Sequence, residues 1–201
     1  LKERGRQVQE HRLASNRKAT NELAQTPSLF GFISHPETSY IAVPLHSSET
    51  REYVPLALLK SDVIATNAIS LIPDGSLKTF GILMSRSFNI WNKTVSGRLE
   101  SRTRISGTIT YNNFPFPETT LEHEKVIEES ARKVLEVRDE YPNSSLADLY
   151  DPTAMPSALR KAHQQLDKAV LAAFGLKNTA TDEEILSELF RRYEDLIGGL
   201  I

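Results

Sequence analysis

The chain has 201 residues, 39% hydrophobic and 25% charged, with no cysteine, which allows one substantial core or two small ones and excludes disulfides and cysteine-ligated zinc. No run approaches the ~18 consecutive apolar residues of a membrane helix and no charged-apolar-small signal peptide opens the sequence, so neither a membrane nor a secreted protein is expected. The net charge of −2 hides an asymmetry: residues 1–117 hold 14 Lys and Arg against 9 Asp and Glu, whereas residues 118–201 hold 10 against 17, so the first part is the better candidate for phosphate contact and the acidic part for packing on protein or facing solvent.

Residues 1–25 are polar and rich in helix formers, with Arg4, Arg6, Arg12, Arg17 and Lys18 as a basic set. They predict an exposed or connecting helix that ends before Pro27. The sequence opens at Leu1 inside this helix-like pattern and without an initiator methionine, so a piece of a longer polypeptide is expected. Between residues 28 and 80, β-like runs at 40–43 and 62–71 are interrupted by Pro36, Pro44, Pro55, Pro73 and Asp74-Gly75, which predicts short strands joined by turns. Phe80, Leu83, Met84, Phe88, Trp91 and Val95 then fall on one face of a single α-helix that Gly97 would terminate, with Met84 and Trp91 as core residues rather than a ligand site.

The stretch 97–106 follows. If it is extended, Glu100, Arg102 and Arg104 line one face and Leu99, Ser101, Thr103 and Ile105 the other. Arg grips guanine O6 and N7 bidentately and a carboxylate accepts from cytosine N4, so this row suits the reading of base edges. The same alternation also describes a plain surface strand carrying an intrastrand ion pair. Residues 111–117, Tyr-Asn-Asn-Phe-Pro-Phe-Pro, form a rigid exit whose prolines fix φ and whose aromatic rings anchor the crossover. From residue 118 the pattern is helical: Ser157 caps one helix, Gly175 stands where a left-handed C-cap belongs, and Thr181 to Glu184 make a capping box for the last.

No catalytic set and no metal site is assembled by the residues. Asn112-Asn113-Phe114-Pro115 lacks the adjacent prolines of an adenine methylation motif, and no Gly-rich loop accompanies it. Glu122-His123-Glu124 would diverge around a helix instead of converging on a cation, and His11, His35, His46, His123 and His163 show no ligand spacing.

Several longer motifs run in order along the chain: Tyr40-Ile41-Ala42-Val43-Pro44, Arg51-Glu52-Tyr53-Val54-Pro55, Phe80-Gly81-Ile82-Leu83-Met84-Ser85, Trp91, Gly97-Arg98-Leu99-Glu100-Ser101-Arg102 and Tyr111-Asn112-Asn113-Phe114-Pro115. Together with Ser145-Leu146-Ala147-Asp148-Leu149-Tyr150-Asp151-Pro152, Met155-Pro156 and Leu166-Asp167-Lys168-Ala169-Val170, they resemble the target-recognition and closing helical regions of the MmeI family, the single-chain Type IIL restriction-modification enzymes. The resemblance covers nearly the whole chain. It implies an α+β fold: a connecting helix over 1–25, a short-stranded DNA target-recognition domain with a buried helix over 26–117, and an all-α helical domain over 118–201.

The function implied is sequence-specific recognition of double-stranded DNA for a cytoplasmic adenine-N6 methyltransferase and endonuclease. Both catalytic parts would lie elsewhere in the same polypeptide, with S-adenosylmethionine and Mg²⁺ as their cofactors. By the resemblance, Glu100 and Arg102 read one base pair jointly, and Ala68 and Arg104 another. Thr103 and Ile105, where relatives often carry aromatic residues, leave the direction of Arg104 for the structure to decide. Arg86, Lys93 and Arg98 are the candidates for phosphate contact, against a reading as a solvated helix face. The rival function is a non-enzymatic module whose residues 80–117 bind a protein; RNA binding is less attractive, because the aromatic residues fall on apolar faces.

Overall fold

The computed structural model describes residues 2–31 and 33–199; Leu1, where the sequence opens, lies outside them. The chain divides into two compact units, Leu1–His35 and Pro36–Ile201. In the first, α1 (Lys2–Leu13) and α2 (Lys18–Glu22) precede a 3-10 turn, Leu23–Gln25. The helix predicted over residues 1–25 is thus two. Asn21 donates its side-chain amide to the carbonyls of Arg12, Leu13 and Ser15, which closes the end of α1 and turns the chain. Arg12, one of the basic set, donates to the carbonyls of Leu23, Thr26 and Leu29 and so serves this turn.

The second unit begins with two small antiparallel sheets. One has the order β3-β1-β4, formed by β3 (Ala57–Leu59), β1 (Tyr40–Pro44) and β4 (Ile69–Pro73). The other has the order β2-β6-β5, formed by β2 (His46–Ser48), β6 (Arg102–Arg104) and β5 (Gly97–Leu99). The β-like run at 62–71 becomes a strand only from Ile69, and residues 60–68 are a loop.

The single helix predicted over residues 80–95 is interrupted. α3 (Leu77–Leu83) ends at Met84, and α4 (Arg86–Val95) starts afresh from Ser85, whose extended backbone and side chain cap it by accepting from Phe88 N. Both helices bury the same apolar face, so the periodicity runs unbroken across the restart. Gly97 does not terminate α4; Ser96 turns extended and Gly97 opens β5.

α5 (Leu121–Asp139), α6 (Leu146–Leu149), α7 (Ser157–Ala173) and α8 (Asp182–Gly198) complete the unit. The capping box of Thr181 and Glu184 forms as predicted. Gly175 at φ 76° closes α7 in a Schellman motif, with Leu176 N bonded to Leu171 O and Gly175 N to Ala172 O. Ser157 is the first helical residue of α7 rather than its cap, a position taken by Pro156. The core is continuous from the sheets to the helices: Phe80, Leu83 and Trp91 are buried with Ile127, Val134, Leu159 and Leu166. Gly81 makes this possible, because a Cβ there would stand 2.9 Å from Ile127 and 3.2 Å from Leu166. Small antiparallel sheets followed by helices give the α+β class expected, and no described helix is long and apolar enough to cross a membrane.

Candidate nucleic-acid interface

Residues 40–48 run through both sheets, with Leu45 at the changeover. Leu45 N donates to Ala68 O at 2.9 Å, extending the β1/β4 ladder, and Leu45 O accepts from Ile105 N at 2.9 Å, extending the β2/β6 ladder. One backbone unit therefore brings Ala68, exposed at the end of its loop, close to Arg104. Sequence separation of the two conceals this.

The stretch 97–106 is a hairpin rather than one strand. Leu99 pairs with Arg102, so Glu100 and Ser101 are a two-residue loop, and Glu100 takes φ 57° as the first of the two. Glu100 thus stands at the hairpin tip and not in a row along a strand. The alternation of the remainder holds: Arg102 and Arg104 are exposed, while Thr103 and Ile105 are 1% and 3% exposed. This settles the direction of Arg104, because Thr103 is locked inward by Asn92 Nδ2 at 3.1 Å. Among the described residues Glu100, Arg102 and Arg104 make no ion pair or side-chain hydrogen bond with one another or with a neighbour, so the reading as an intrastrand ion pair falls away.

Residues paired across antiparallel strands share a face. The outer face of β2-β6-β5 therefore carries His46, Arg104 and Gly97 in one row and Ser48, Arg102 and Leu99 in the next. His46 and Ser48 were not singled out from the sequence, since their place beside the arginines depends on pairing across more than fifty residues. Glycine at 97 leaves the side of Arg104 open.

The positive φ of Glu100 is strained for a residue with a side chain, and strain of this kind gathers where a side chain is needed. Glu100→Gly should stabilise the free protein by about 0.5–1 kcal/mol, read by chemical denaturation; an equal or lower midpoint would show that contacts of the Glu100 side chain offset the strain.

The three phosphate candidates separate. Arg98 pairs with Thr103 across the hairpin and so projects from the inner face, where Nη1 meets Glu49 at 2.9 Å. Lys93 is half-buried nearby on α4, and burial holds its ammonium below the ordinary lysine value. Arg86 is engaged by the helical part: its guanidinium contacts Asp182 and the carbonyl of Ala180, contacts that a phosphate would have to displace. Asn113, in the supposed methylation lookalike, donates to Thr108 O and Ile109 O at 3.0 Å and closes the π-turn Gly107–Tyr111, while Phe114 packs against Phe88 and Trp91.

A buried polar joint holds these elements to the helices. Asp167 of α7 accepts from Arg86 N at 2.8 Å and from Tyr53 Oη at 2.7 Å. Burial raises its carboxyl to about 6, and burial with the nearby Asp167 raises the Tyr53 phenol as well. His163, stacked on Tyr53, is kept neutral by burial and by the charge of Arg138. An acid with a raised native pKa keeps a proton that the unfolded chain releases above ~3.9, so Asp167 lowers stability as pH climbs from there to about 6, by up to ~3 kcal/mol. His163 acts oppositely: the unfolded chain binds a proton below ~6.5 that the native state refuses, so stability falls on acidification. Asp167→Asn should therefore be the more stable form at pH 7 by about 1–3 kcal/mol and lose that advantage by pH 4. Denaturant titrations across this range check it, and a constant difference between the two proteins contradicts it.

The MmeI target recognition domain matches residues 1–118, and the MmeI C-terminal domain matches residues 120–201. DNA methyltransferase A of Bacillus subtilis (strain 168) is 41% identical over 187 residues, covering 92% of this chain and 21% of that protein. A solved structure of the Type IIL restriction-modification enzyme MmeI in complex with DNA superposes with a TM-score of 0.86 at 43% identity, over 96% of this chain and 26% of that one. The chain therefore spans about a quarter or less of the length of these relatives.

Proposed function

Since the chain belongs to the MmeI family, with its target recognition domain followed by its C-terminal domain, we propose that it reads the sequence of duplex DNA through the outer face of β6 and the hairpin tip, on behalf of a longer restriction-modification polypeptide. The observation that carries this reading is the free pair of Arg102 and Arg104, exposed on one face of a strand whose other face is fixed in the interior. Guanidinium groups that have no partner among the described residues and stand on a rigid strand are suited to donate to guanine O6 and N7 in the major groove. Glu100 at the tip supplies an acceptor, and Ala68 beside Arg104 leaves room for a base or a thymine methyl. Lys93 and Arg98 lie behind this face, and contact with phosphates would require Arg98 to exchange Glu49 for DNA.

Adenine methylation and cleavage are assigned to the remaining parts of the polypeptide, together with S-adenosylmethionine and Mg²⁺. No three His, Cys, Asp or Glu converge among the described residues to hold Mg²⁺, and the Asn113 amide that a methylation motif would use is engaged in its turn. The test is to sequence methylated adenines in DNA from cells carrying the full-length gene with and without Arg104→Ala. Relaxation at one base pair of the target is expected. An unchanged target in an active variant contradicts the assignment of Arg104.

A further inference from the structure

Beneath Arg102 and Arg104, the inner face of β6 rests on neutral hydrogen-bonding groups instead of hydrocarbon alone. Ser106 N donates to Thr110 Oγ1 at 3.1 Å, Thr110 Oγ1 lies 2.6 Å from Ser96 Oγ, and Ser96 Oγ donates to Asn92 Oδ1 at 2.7 Å. Asn92 Nδ2 then donates to Thr103 Oγ1 at 3.1 Å, and Thr103 Oγ1 donates to Ser47 O at 3.3 Å. Each hydroxyl has one proton, and the bonds on either side fix its direction: Ser96 gives its proton to Asn92, so Thr110 must give its own to Ser96. The result is a relay of one polarity, from a backbone N–H of the π-turn through α4 and β6 to a backbone carbonyl of β2. Asn92, Thr103 and Thr110 are almost wholly buried, and the bonds of such a chain reinforce one another.

We infer that Asn92, Ser96 and Thr103 are positioning residues for base reading: the relay fixes the roll of β6, and discrimination at the base pairs read by Arg102 and Arg104 depends on it. The inference rests on the function proposed above. A hairpin with three residues per strand has few ladder bonds of its own, and an apolar contact would let β6 rotate by degrees that bidentate recognition does not tolerate. Directed hydrogen bonds to Thr103 remove that freedom midway between the two arginines.

The experiment measures methylation kcat/KM of the full-length enzyme on its own site and on every single-base-pair variant of it. Thr103→Val removes the hydroxyl, and Ser96→Ala cuts the relay between the π-turn and α4, leaving Asn92 Oδ1 without its donor while the hairpin sequence is unchanged. Thr103→Ser keeps the hydroxyl, and Ser47→Ala removes a buried hydroxyl that has no partner among the described residues. Arg102→Ala and Arg104→Ala identify the base pairs concerned. Thr103→Val and Ser96→Ala should cut discrimination about tenfold at those pairs alone, while Thr103→Ser and Ser47→Ala keep it. Uniform loss at all positions, or full discrimination in both relay variants, overturns the inference and leaves base reading intact. If the two arginine variants change no position, the base-reading assignment fails and the inference falls with it.

Discussion

Arg138→Met should destabilise the protein by about 3 kcal/mol, lowering Tm by roughly 6–12 °C in a chain of this size. Arg138 is 8% exposed and joins the recognition part to the helices. Its guanidinium donates to Leu56 O at 2.8 Å, to Tyr150 Oη at 2.8 Å through Nε and again through Nη2, and approaches Met84 Sδ at 3.4 Å. It lies 4.8 Å from the ring centre of Tyr150 and 5.8 Å from that of Phe80. The charge is thus solvated by a carbonyl, a phenol and two π faces. Methionine fills much of the volume but leaves the Leu56 carbonyl without its donor and Tyr150 with only its bond to His163. Arg138→Lys keeps the charge and loses the planar fork, so it should recover little of the deficit. Thermal unfolding of the two variants against wild type reads both effects; a shift of Arg138→Met below about 2 °C would show that the joint contributes rigidity without stability.

What the sequence discloses and conceals follows from the range of each signal. Gly175, the Thr181 capping box and the alternation of residues 102–105 are set by immediate neighbours, and all three stand in the structure as read. The hairpin tip was hidden because Glu100-Ser101 carries none of the Gly, Asn or Asp that normally mark a two-residue loop. Only pairing of Gly97–Leu99 with Arg102–Arg104, and of the latter with His46–Ser48, makes Glu100 adopt its positive φ. The restart at Ser85 had a local cue, a serine three residues before a helical N–H, but apolar periodicity masked it because α3 and α4 face one core. Arg86 illustrates the long-range case. Nothing near it in sequence points to Asp182, and the contact exists because α4 packs on α8 through Trp91 with Phe190 and Tyr193.

On the proposed function, the double variant Glu100→Lys, Arg102→Asp of the full-length protein should change the preferred base pair at one position from C·G to G·C, with methylation and cleavage moving together if one reader serves both. The two residues stand at the tip and at the first position of β6, each free of internal partners among the described residues. On the proposed function, Glu100 would accept from cytosine N4 while Arg102 would donate to guanine O6 and N7 of the same pair, and an A·T pair would leave buried polar groups unmatched at a cost of about 1–3 kcal/mol. Lys at 100 supplies the donor where the acceptor was, and Asp at 102 supplies the acceptor, so the chemistry is mirrored across the pair. Reach is mirrored too, since the long side chain moves to the tip and the short one to the strand. Each single variant should be worse than the double, because it places two donors or two acceptors against one base pair. Methylated-adenine sequencing and mapping of cleaved ends provide the readout. A double variant that stays active and still modifies the original site would reduce Glu100 and Arg102 to solvent-facing charges.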